Sequence, residues 1–378
     1  RQVTTQRKMN AELLTRTECN VMRGLAILGI FLHNYCHWLN PVVKENEYQY
    51  SQHNVDWLMQ VCAHPDALLP MHIISFFGHY GVPIFLFLSA FGLERKYGNT
   101  KPGPRLEPKV NTWGFIRYHF LKLFKMMIVG FTCFTIVDAI TPDSWHYTMV
   151  QILTQLGMVN NFLAHPDDNI WPGPYWFFGL MLQLYLVYRL LLYRHHWGWT
   201  AGLMAVCLGI QMTMGPESEA INYYRYNFMG GMLPFGLGIL FARYGERIML
   251  VRMNFGGALM SWVVCSFFIV SMSTNYYAWA FIPAMVCYAT VYFVKTLSLL
   301  PMQRLRDALW YVFSWLGSIS AALFVIHPVL RKVFIPISRH GDYYTGLLLY
   351  VITSLGVAWL LKEVMKKIPS PKEVRIKS

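Results

Sequence analysis

The stretch 23–38 carries several polar side chains within an otherwise apolar run, and these are the residues best suited to chemistry. The run begins at Arg23 and reaches His33, Asn34 and His37 near its end. At about 1.5 Å of rise per helical residue, His33 lies about 15 Å from Arg23 and His37 about 21 Å. The two histidines are one helical turn apart and share a face. Because ionisable groups are costly inside a bilayer, they are candidates for a functional site.

An imidazole at this depth is suited to proton transfer or to carrying an acyl group. Burial favours neutral imidazole, which can accept a proton from a hydroxyl, and the same nitrogen can act as a nucleophile. Asn34, His37 or Tyr35 could stabilise an oxyanion. Two histidines one turn apart could also hold a metal, but the acidic ligand of zinc-protease helices is missing from this stretch, so we predict no metal. The structural alternative is a helix with buried, hydrogen-bonded histidines.

The composition places this stretch in a membrane protein. Hydrophobic residues make up 55% of the 378 residues and charged residues only 13%, about half the charged share of a soluble domain. Disordered, collagen-like and disulfide-scaffold proteins are excluded by the same composition. The net charge of +13 then indicates basic cytoplasmic loops, and no nucleic acid is expected as a partner.

Apolar stretches recur along the chain and predict an all-α, polytopic membrane protein with about ten transmembrane helices. A shorter apolar stretch, 147–158, is predicted to be a re-entrant or interfacial helix. The predicted organisation is one transmembrane domain at 20–365, a cytoplasmic segment at 1–19 and a basic cytoplasmic tail at 366–378. The ten predicted spans are 20–40, 70–94, 113–138, 173–193, 198–214, 224–243, 255–273, 276–297, 310–335 and 343–364.

The distribution of Lys and Arg predicts the orientation of these spans. Loop 94–117 is basic and is predicted to be cytoplasmic, whereas loops 41–69 and 138–172 are acidic and are predicted to lie outside. If 147–158 crossed the membrane, the basic segment 189–194 would also lie outside. We therefore predict that it does not cross, so that both termini are cytoplasmic.

One cluster of cations does not fit this orientation. Arg331, Lys332 and Arg339 fall on the predicted outer side, where Asp342 offsets only part of their charge. The positive-inside rule gives no reason for basic residues at that position.

Four motifs in chain order resemble those of membrane acyltransferase family 3. The first is the Arg23–His33 stretch, in which nine residues separate the two where the family usually has ten, so His37 stays open as the alternative to His33. The third contains Trp176, Gln183 and Tyr185. The fourth contains Ser320 and His327, which share a helix face. In the sequence these motifs occupy 23–38, 77–93, 174–186 and 317–328.

The resemblance implies transfer of an acyl group, most often acetyl, from cytoplasmic acyl-CoA to a hydroxyl of an extracytoplasmic or lipid-linked carbohydrate. It implies His33 as the catalytic base, with Arg23, His37 and Asn34 in the same site. The acceptor would be bound by aromatic and polar residues of the later motifs, namely Trp176, Gln183, Tyr185 and His327. The implied location is a cell membrane, most often the bacterial inner membrane.

A basic element at the start of the third span is a candidate for binding the donor. Arg117, Lys122 and Lys125 lie there, in a segment similar to the family's Arg-rich element, and could attract the phosphates of acetyl-CoA. They could equally anchor the span at the cytoplasmic face.

Other functions remain open from the sequence. A glycan transporter or flippase would also carry polar residues at the membrane midplane. The sequence contains no inverted repeat that we can detect, which favours an acyltransferase. A sensor without catalysis would leave the histidine and arginine cluster unexplained.

Overall fold

The computed structural model describes residues 13–98, 110–248 and 254–373. Helices dominate this part of the chain and no strand occurs in it, which confirms the all-α prediction. The helices of eight or more residues are α1 (Arg16–Cys36), α2 (Gln52–Ala63), α3 (Leu69–Phe77), α4 (Gly81–Tyr97), α5 (Thr112–Ala139), α6 (Met149–Leu156), α7 (Trp176–Val187), α8 (Trp197–Met212), α9 (Glu219–Tyr226), α10 (Phe228–Ile248), α11 (Phe255–Met272), α12 (Ile282–Ser298), α13 (Gln303–Ser318), α14 (Ser320–Arg339) and α15 (Tyr343–Lys367).

Six helical stretches among the described residues are long and apolar enough to cross a membrane, which makes this a multi-pass membrane protein. A 3-10 turn at Gly78–Tyr80 joins α3 to α4 in one of them, and short helical turns flank α7 in another. The total of about ten spans stays a prediction. The six stretches are Leu69–Tyr97, Thr112–Ala139, Gly173–Leu192, Phe255–Met272, Ser320–Arg339 and Tyr343–Lys367.

The predicted span 310–335 has the wrong bounds, because the chain divides at Ile319 into α13 and α14. A Cβ on Gly317 would lie only 1.9 Å from the carbonyl oxygen of Asn20, so α13 meets α1 at very close range there. The Ser320 hydroxyl donates to the Gly317 carbonyl at 2.8 Å beside the break. Apolar side chains continue across this junction, which is why hydropathy alone did not reveal it.

The ambiguous stretch 147–158 forms the short helix α6. Its eight residues correspond to about 12 Å, well under the roughly 30 Å of a hydrocarbon core. Thr148 and Gln151 form a capping box at its start. A helix of this length does not cross a bilayer, in agreement with the predicted re-entrant or interfacial character.

Helix α1 lies at the centre of the bundle, where it packs against α3, α4, α13 and α14. It begins with a capping box between Thr15 and Glu18, and Glu18 also pairs with Lys295 of α12 at 2.7 Å. Farther along, Gly78 allows the chain to pass close to α1, since a Cβ there would lie 2.4 Å from the Cβ of His33. This packing buries His33 and Asn34.

The loops contact one another in two groups that correspond to the predicted outer and cytoplasmic faces. Which group faces the cytoplasm stays a prediction, but the grouping agrees with the predicted alternation. Contacts on the predicted outer side join Tyr50 to Pro216, Asn46 to Trp279, Asp138 to Lys332 and Asp167 to Asn222. Contacts on the predicted cytoplasmic side join Glu18 to Lys295, Glu94 to Arg243, Lys96 to Glu373 and Val110 to Tyr193.

Two of the three cations Arg331, Lys332 and Arg339, which do not fit the predicted orientation, lie against other parts of the protein. Lys332 pairs with the buried Asp138 at 3.0 Å and donates to the Asp143 carbonyl at 2.8 Å. Arg331 is buried against Trp38 and Trp171. Because these side chains point into the protein, they are not the loop cations that the positive-inside rule describes.

Impermeant thiol labelling in intact cells tests the orientation. Cys62 is exposed, so Cys62→Ser provides the background. On that background Asp168→Cys should be labelled, while His195→Cys should react only after the membrane is permeabilised. The opposite pattern would show that the two faces are reversed.

Candidate active site

A cavity of about 440 Å³ runs between helices of the bundle, and His33 lies along its wall. Arg23 and Lys122, near the starts of α1 and α5, line one part of it. Asp167 and Trp171, in the segment between α6 and α7, line another. Since His33 is ten residues beyond Arg23 on α1, about 15 Å separates them. The cavity therefore extends from cations in the first half of α1 and of α5 to the segment between α6 and α7, with a histidine between them.

The hydrogen bonding of His33 defines which of its ring nitrogens can act as a base. Nδ1 lies 2.8 Å from the carbonyl oxygen of Ser75. A carbonyl can only accept, so Nδ1 carries the hydrogen and the neutral ring keeps its lone pair on Nε2. The side chain is buried and lines the cavity. This tautomer is the one a general base at Nε2 requires.

His37 forms a carboxylate–imidazole pair beside His33. Its Nδ1 donates to Oε1 of Glu45 at 3.0 Å, and its ring stacks on that of His33 with centroids 4.6 Å apart. Nε2 of His37 and Nδ2 of Asn34 are buried and have no hydrogen-bond partner among the described residues. Unsatisfied buried groups are rare in folded proteins, so these two are available to a molecule in the cavity.

Glu45 and Glu47 are site residues that the sequence analysis did not identify. They lie between α1 and α2, in a segment that several polar contacts hold against the bundle. Arg225 donates to the Glu47 carbonyl at 2.9 Å, and Trp279 donates to the Asn46 carbonyl at 3.0 Å. The sequence showed both acids as charges of an outer loop, and no fixed spacing links them to the histidines.

The two carboxyl groups differ in protonation. Burial alone would raise the pKa of Glu45, but its attraction to His37 and the hydrogen bond from His37 hold that pKa well below the ordinary value. Burial, reinforced by the neighbouring Glu45, raises the pKa of Glu47 to about 8. At neutral pH Glu45 is therefore ionised and Glu47 mostly protonated. The 3.9 Å separation between Glu47 and Nε2 of His33 is then a neutral contact.

His79 is a further cavity residue that the sequence analysis missed. It lines the cavity and its ring centroid lies 5.5 Å from that of His33. The residue belongs to the 3-10 turn between α3 and α4. Its position in the second motif was visible in the sequence, but only the packing of that turn on α1 brings it to the site.

The residues His33, His37 and Glu45 also meet a geometric condition for holding a metal ion. Their candidate ligand atoms lie within 4.8 Å of one another. The acid that α1 lacks is thus supplied by the following loop. Nδ1 of His37 is bonded to Oε1 of Glu45 at 3.0 Å, whereas Oε2 of Glu45 and Nε2 of His37 are buried without a hydrogen-bond partner among the described residues. The absence of a metal stays a prediction.

The three predicted donor-binding cations occupy different positions. Lys122 lines the cavity together with Arg23. Lys125 instead donates to the Ile368 carbonyl at 2.8 Å and to Ser370 at 3.2 Å. Arg117 is exposed and is not among the cavity-lining residues. The structure therefore brings Lys122, rather than Arg117 or Lys125, to the same cavity as His33.

This difference predicts unequal effects on donor binding. If Lys122 binds the donor phosphates as predicted, Lys122→Gln should raise the KM for acetyl-CoA by roughly threefold to tenfold, because one of the predicted phosphate-binding cations is lost. Lys125→Gln, which removes the same charge one turn away, should have a smaller effect. Steady-state kinetics with acetyl-CoA and with acetylated pantetheine measure this. Equal KM changes for both donors would show that Lys122 does not bind the nucleotide end.

The predicted acceptor-binding residues also separate into two pairs. Trp176 and Tyr185 line the cavity. Gln183 does not, since it donates to Asn227 at 2.9 Å and accepts from the Phe228 amide at 2.8 Å, joining α7 to α10. His327 is fully buried and hydrogen-bonds the Leu323 carbonyl at 3.0 Å, away from the cavity lining.

The fold and the cavity together define a multi-pass membrane protein with a histidine-lined cavity between its helices. The model of acyltransferase family 3, described as an acyltransferase domain, matches residues 16–363. The chain belongs to this family and is a membrane acyltransferase. No curated protein and no solved structure matches it in our comparisons.

Proposed function

We propose that the protein transfers an acetyl group from cytoplasmic acetyl-CoA to a hydroxyl of an extracytoplasmic or lipid-linked carbohydrate. One observation carries the proposal. A single cavity is lined by Arg23 and Lys122, by His33, and by Trp171 and Asp167. Two substrates that enter from opposite faces of the membrane can meet at the histidine in such a cavity.

The donor would bind with its phosphates at Arg23 and Lys122. These are the cations on the cavity wall nearest the predicted cytoplasmic face. The pantetheine arm is a long and flexible chain, suited to bridging the roughly 15 Å of helix between Arg23 and His33. The thioester would then lie beside the stacked imidazoles.

The reaction follows from the tautomer of His33. The acceptor hydroxyl gives its proton to Nε2 while its oxygen attacks the thioester carbonyl carbon. The resulting oxyanion accepts a hydrogen bond from Nδ2 of Asn34 and, when both ring nitrogens of His37 carry a proton, a second one from Nε2 of His37, whose ring Glu45 orients through Nδ1. Collapse breaks the carbon–sulfur bond, and the thiolate takes the proton from Nε2 to leave an ester and free CoA. An acyl-imidazole intermediate at the same nitrogen is the alternative route.

The acceptor would occupy the part of the cavity with aromatic walls. Trp38, Trp171 and Trp176 line it, and the rings of Trp38 and Trp171 lie 5.8 Å apart. Aromatic faces pack well against the C–H groups of a sugar ring. This supports a carbohydrate acceptor. We further propose that residues 20–365 form a single catalytic domain and that the protein lies in a bacterial inner membrane.

Purified protein with labelled acetyl-CoA tests the function. With a glycan extract from cells that make the protein, we expect label in the glycan and an equal amount of free CoA thiol. Movement of glycan across proteoliposomes without acetyl-CoA, and with no thiol release, would support the transporter alternative instead.

A further inference from the structure

Arg331 is a buried cation on the wall of the same cavity. It lies on α14 and only 3% of it is exposed, yet it is among the cavity-lining residues. Its guanidinium lies over the ring of Trp38 at 4.6 Å and over that of Trp171 at 5.5 Å. These are the tryptophans of the proposed acceptor region, so Arg331 faces that end of the cavity.

Arg331 has no counter-ion in the part of the chain that the structure describes. Nη1 is buried without a hydrogen-bond partner, and no carboxylate of a described residue lies within 4 Å of the guanidinium. The nearby Asp138 is already bound by Lys332 at 3.0 Å and by the Trp145 amide at 2.7 Å. A buried charge without a partner is costly, and stacking on indoles offsets only part of that cost.

The other charged groups of the cavity do not supply the missing anion. Arg23 and Lys122 are cations at the opposite end. Glu45 is paired with His37, and burial raises the pKa of Glu47 to about 8. Asp167 lies at the exposed rim, where it accepts from Asn222 at 3.1 Å.

We propose that Arg331 binds the carboxylate or phosphate of an anionic carbohydrate acceptor. The inference rests on the proposed function, because it identifies the class of that acceptor. A guanidinium presents a planar fork that fits either oxyanion group. Trp38, one residue beyond His37, holds Arg331 near the end of α1. An acceptor anchored there through its anion extends its hydroxyl toward His33.

Equilibrium binding to the detergent-solubilised protein tests the proposal. The probes are glucuronate, glucose 1-phosphate and the neutral methyl glucoside. Wild type should bind at least one anion about tenfold or more tightly than the neutral sugar, the effect of one well-placed charged contact. Arg331→Gln should remove that preference, and Arg331→Lys should lose most of it because the fork is missing. Arg339→Gln is the matched control, since it removes an exposed cation from the same helix.

The two anionic probes distinguish the sources of the charge. Preference for glucuronate indicates an acidic sugar, and preference for glucose 1-phosphate indicates a sugar phosphate or a lipid-linked precursor. Equal binding of all three probes by wild type would overturn the proposal. So would an anion preference that Arg331→Gln retains. Unchanged acetyl-CoA binding by each variant shows that it is folded.

The same variants separate this inference from the proposed function. If Arg331-dependent anion binding occurs but no glycan is ever acetylated, the proposed function fails and the anion site stands. If Arg331→Gln acetylates a neutral glycan as fast as wild type and wild type shows no anion preference, the inference fails and the function stands.

Discussion

His33→Gln is expected to lower acyl-transfer turnover by about 10²–10⁴-fold, the usual contribution of a positioned general base. The Ser75 carbonyl fixes the hydrogen on Nδ1, so the replaced group is the one that carries the lone pair. Acetyl-CoA binding should persist, because Arg23 and Lys122, the proposed donor-binding cations, are unchanged in this variant. Single-turnover kinetics and equilibrium donor binding measure the two effects separately.

The neighbouring histidine supplies the decisive comparison. His37 shares the cavity and stacks on His33, whereas His53 is exposed on α2. His37→Gln should lower turnover less than His33→Gln does, and His53→Gln should act like wild type. A nearly inactive His37→Gln beside an active His33→Gln would make His37 the base. Full activity of both His33→Gln and His37→Gln would show that the stacked histidines have only a structural role.

Glu45→Gln is expected to lower turnover by about 10–100-fold with little change in the KM for acetyl-CoA, as found for groups that orient a functional imidazole. The substitution keeps the shape but removes the charge that pairs with His37 at 3.0 Å. The pKa of Glu45 is held below its ordinary value, so its charge is present across the neutral range and is lost only in acid. The loss of turnover should therefore be similar at pH 6 and pH 8.

Glu47 is the matched control for that substitution. Its pKa is about 8, so at pH 7 the side chain is already mostly neutral and Glu47→Gln should cause a much smaller loss. Above about pH 8 wild type gains a negative charge beside His33 that Glu47→Gln cannot gain. The turnover of wild type and that of Glu47→Gln should therefore differ on the alkaline limb of the pH profile. Equal losses in Glu45→Gln and Glu47→Gln at pH 7 would contradict the assigned protonation states.

Many of the helices could be predicted because a helix that crosses the bilayer must carry a long run of apolar residues. Helices such as α5 and α11 begin and end within one or two residues of the predicted spans 113–138 and 255–273. The junction at Ile319 was missed because apolar residues continue across it; the close contact of Gly317 with Asn20 of α1 beside the break joins residues far apart in the sequence. The number of apolar residues in this part of the sequence does not reveal such a contact.

The site was predictable where its residues share one element, and in part where they belong to a recognised motif or basic element, as Lys122, Trp176 and Tyr185 do. Arg23, His33, Asn34 and His37 all lie on or at the end of α1, and all line the cavity. Glu45, His79 and Arg331 reach it from other elements, and nothing in the sequence near them indicates that they approach His33. Gln183 was predicted to bind the acceptor because it is a polar residue at membrane depth. Its side chain instead donates a hydrogen bond to Asn227 of a neighbouring segment.

We propose above all that the cavity lets a donor on one face of the membrane acylate an acceptor on the other. Inverted membrane vesicles from cells that make the protein test this most directly. Labelled acetyl-CoA is added outside the sealed vesicles, where the original cytoplasmic face lies. We expect label on enclosed glycan, dependent on His33 and absent from vesicles that carry His33→Gln. If label appears only on glycan outside the vesicles, or equally in the His33→Gln vesicles, the account is contradicted.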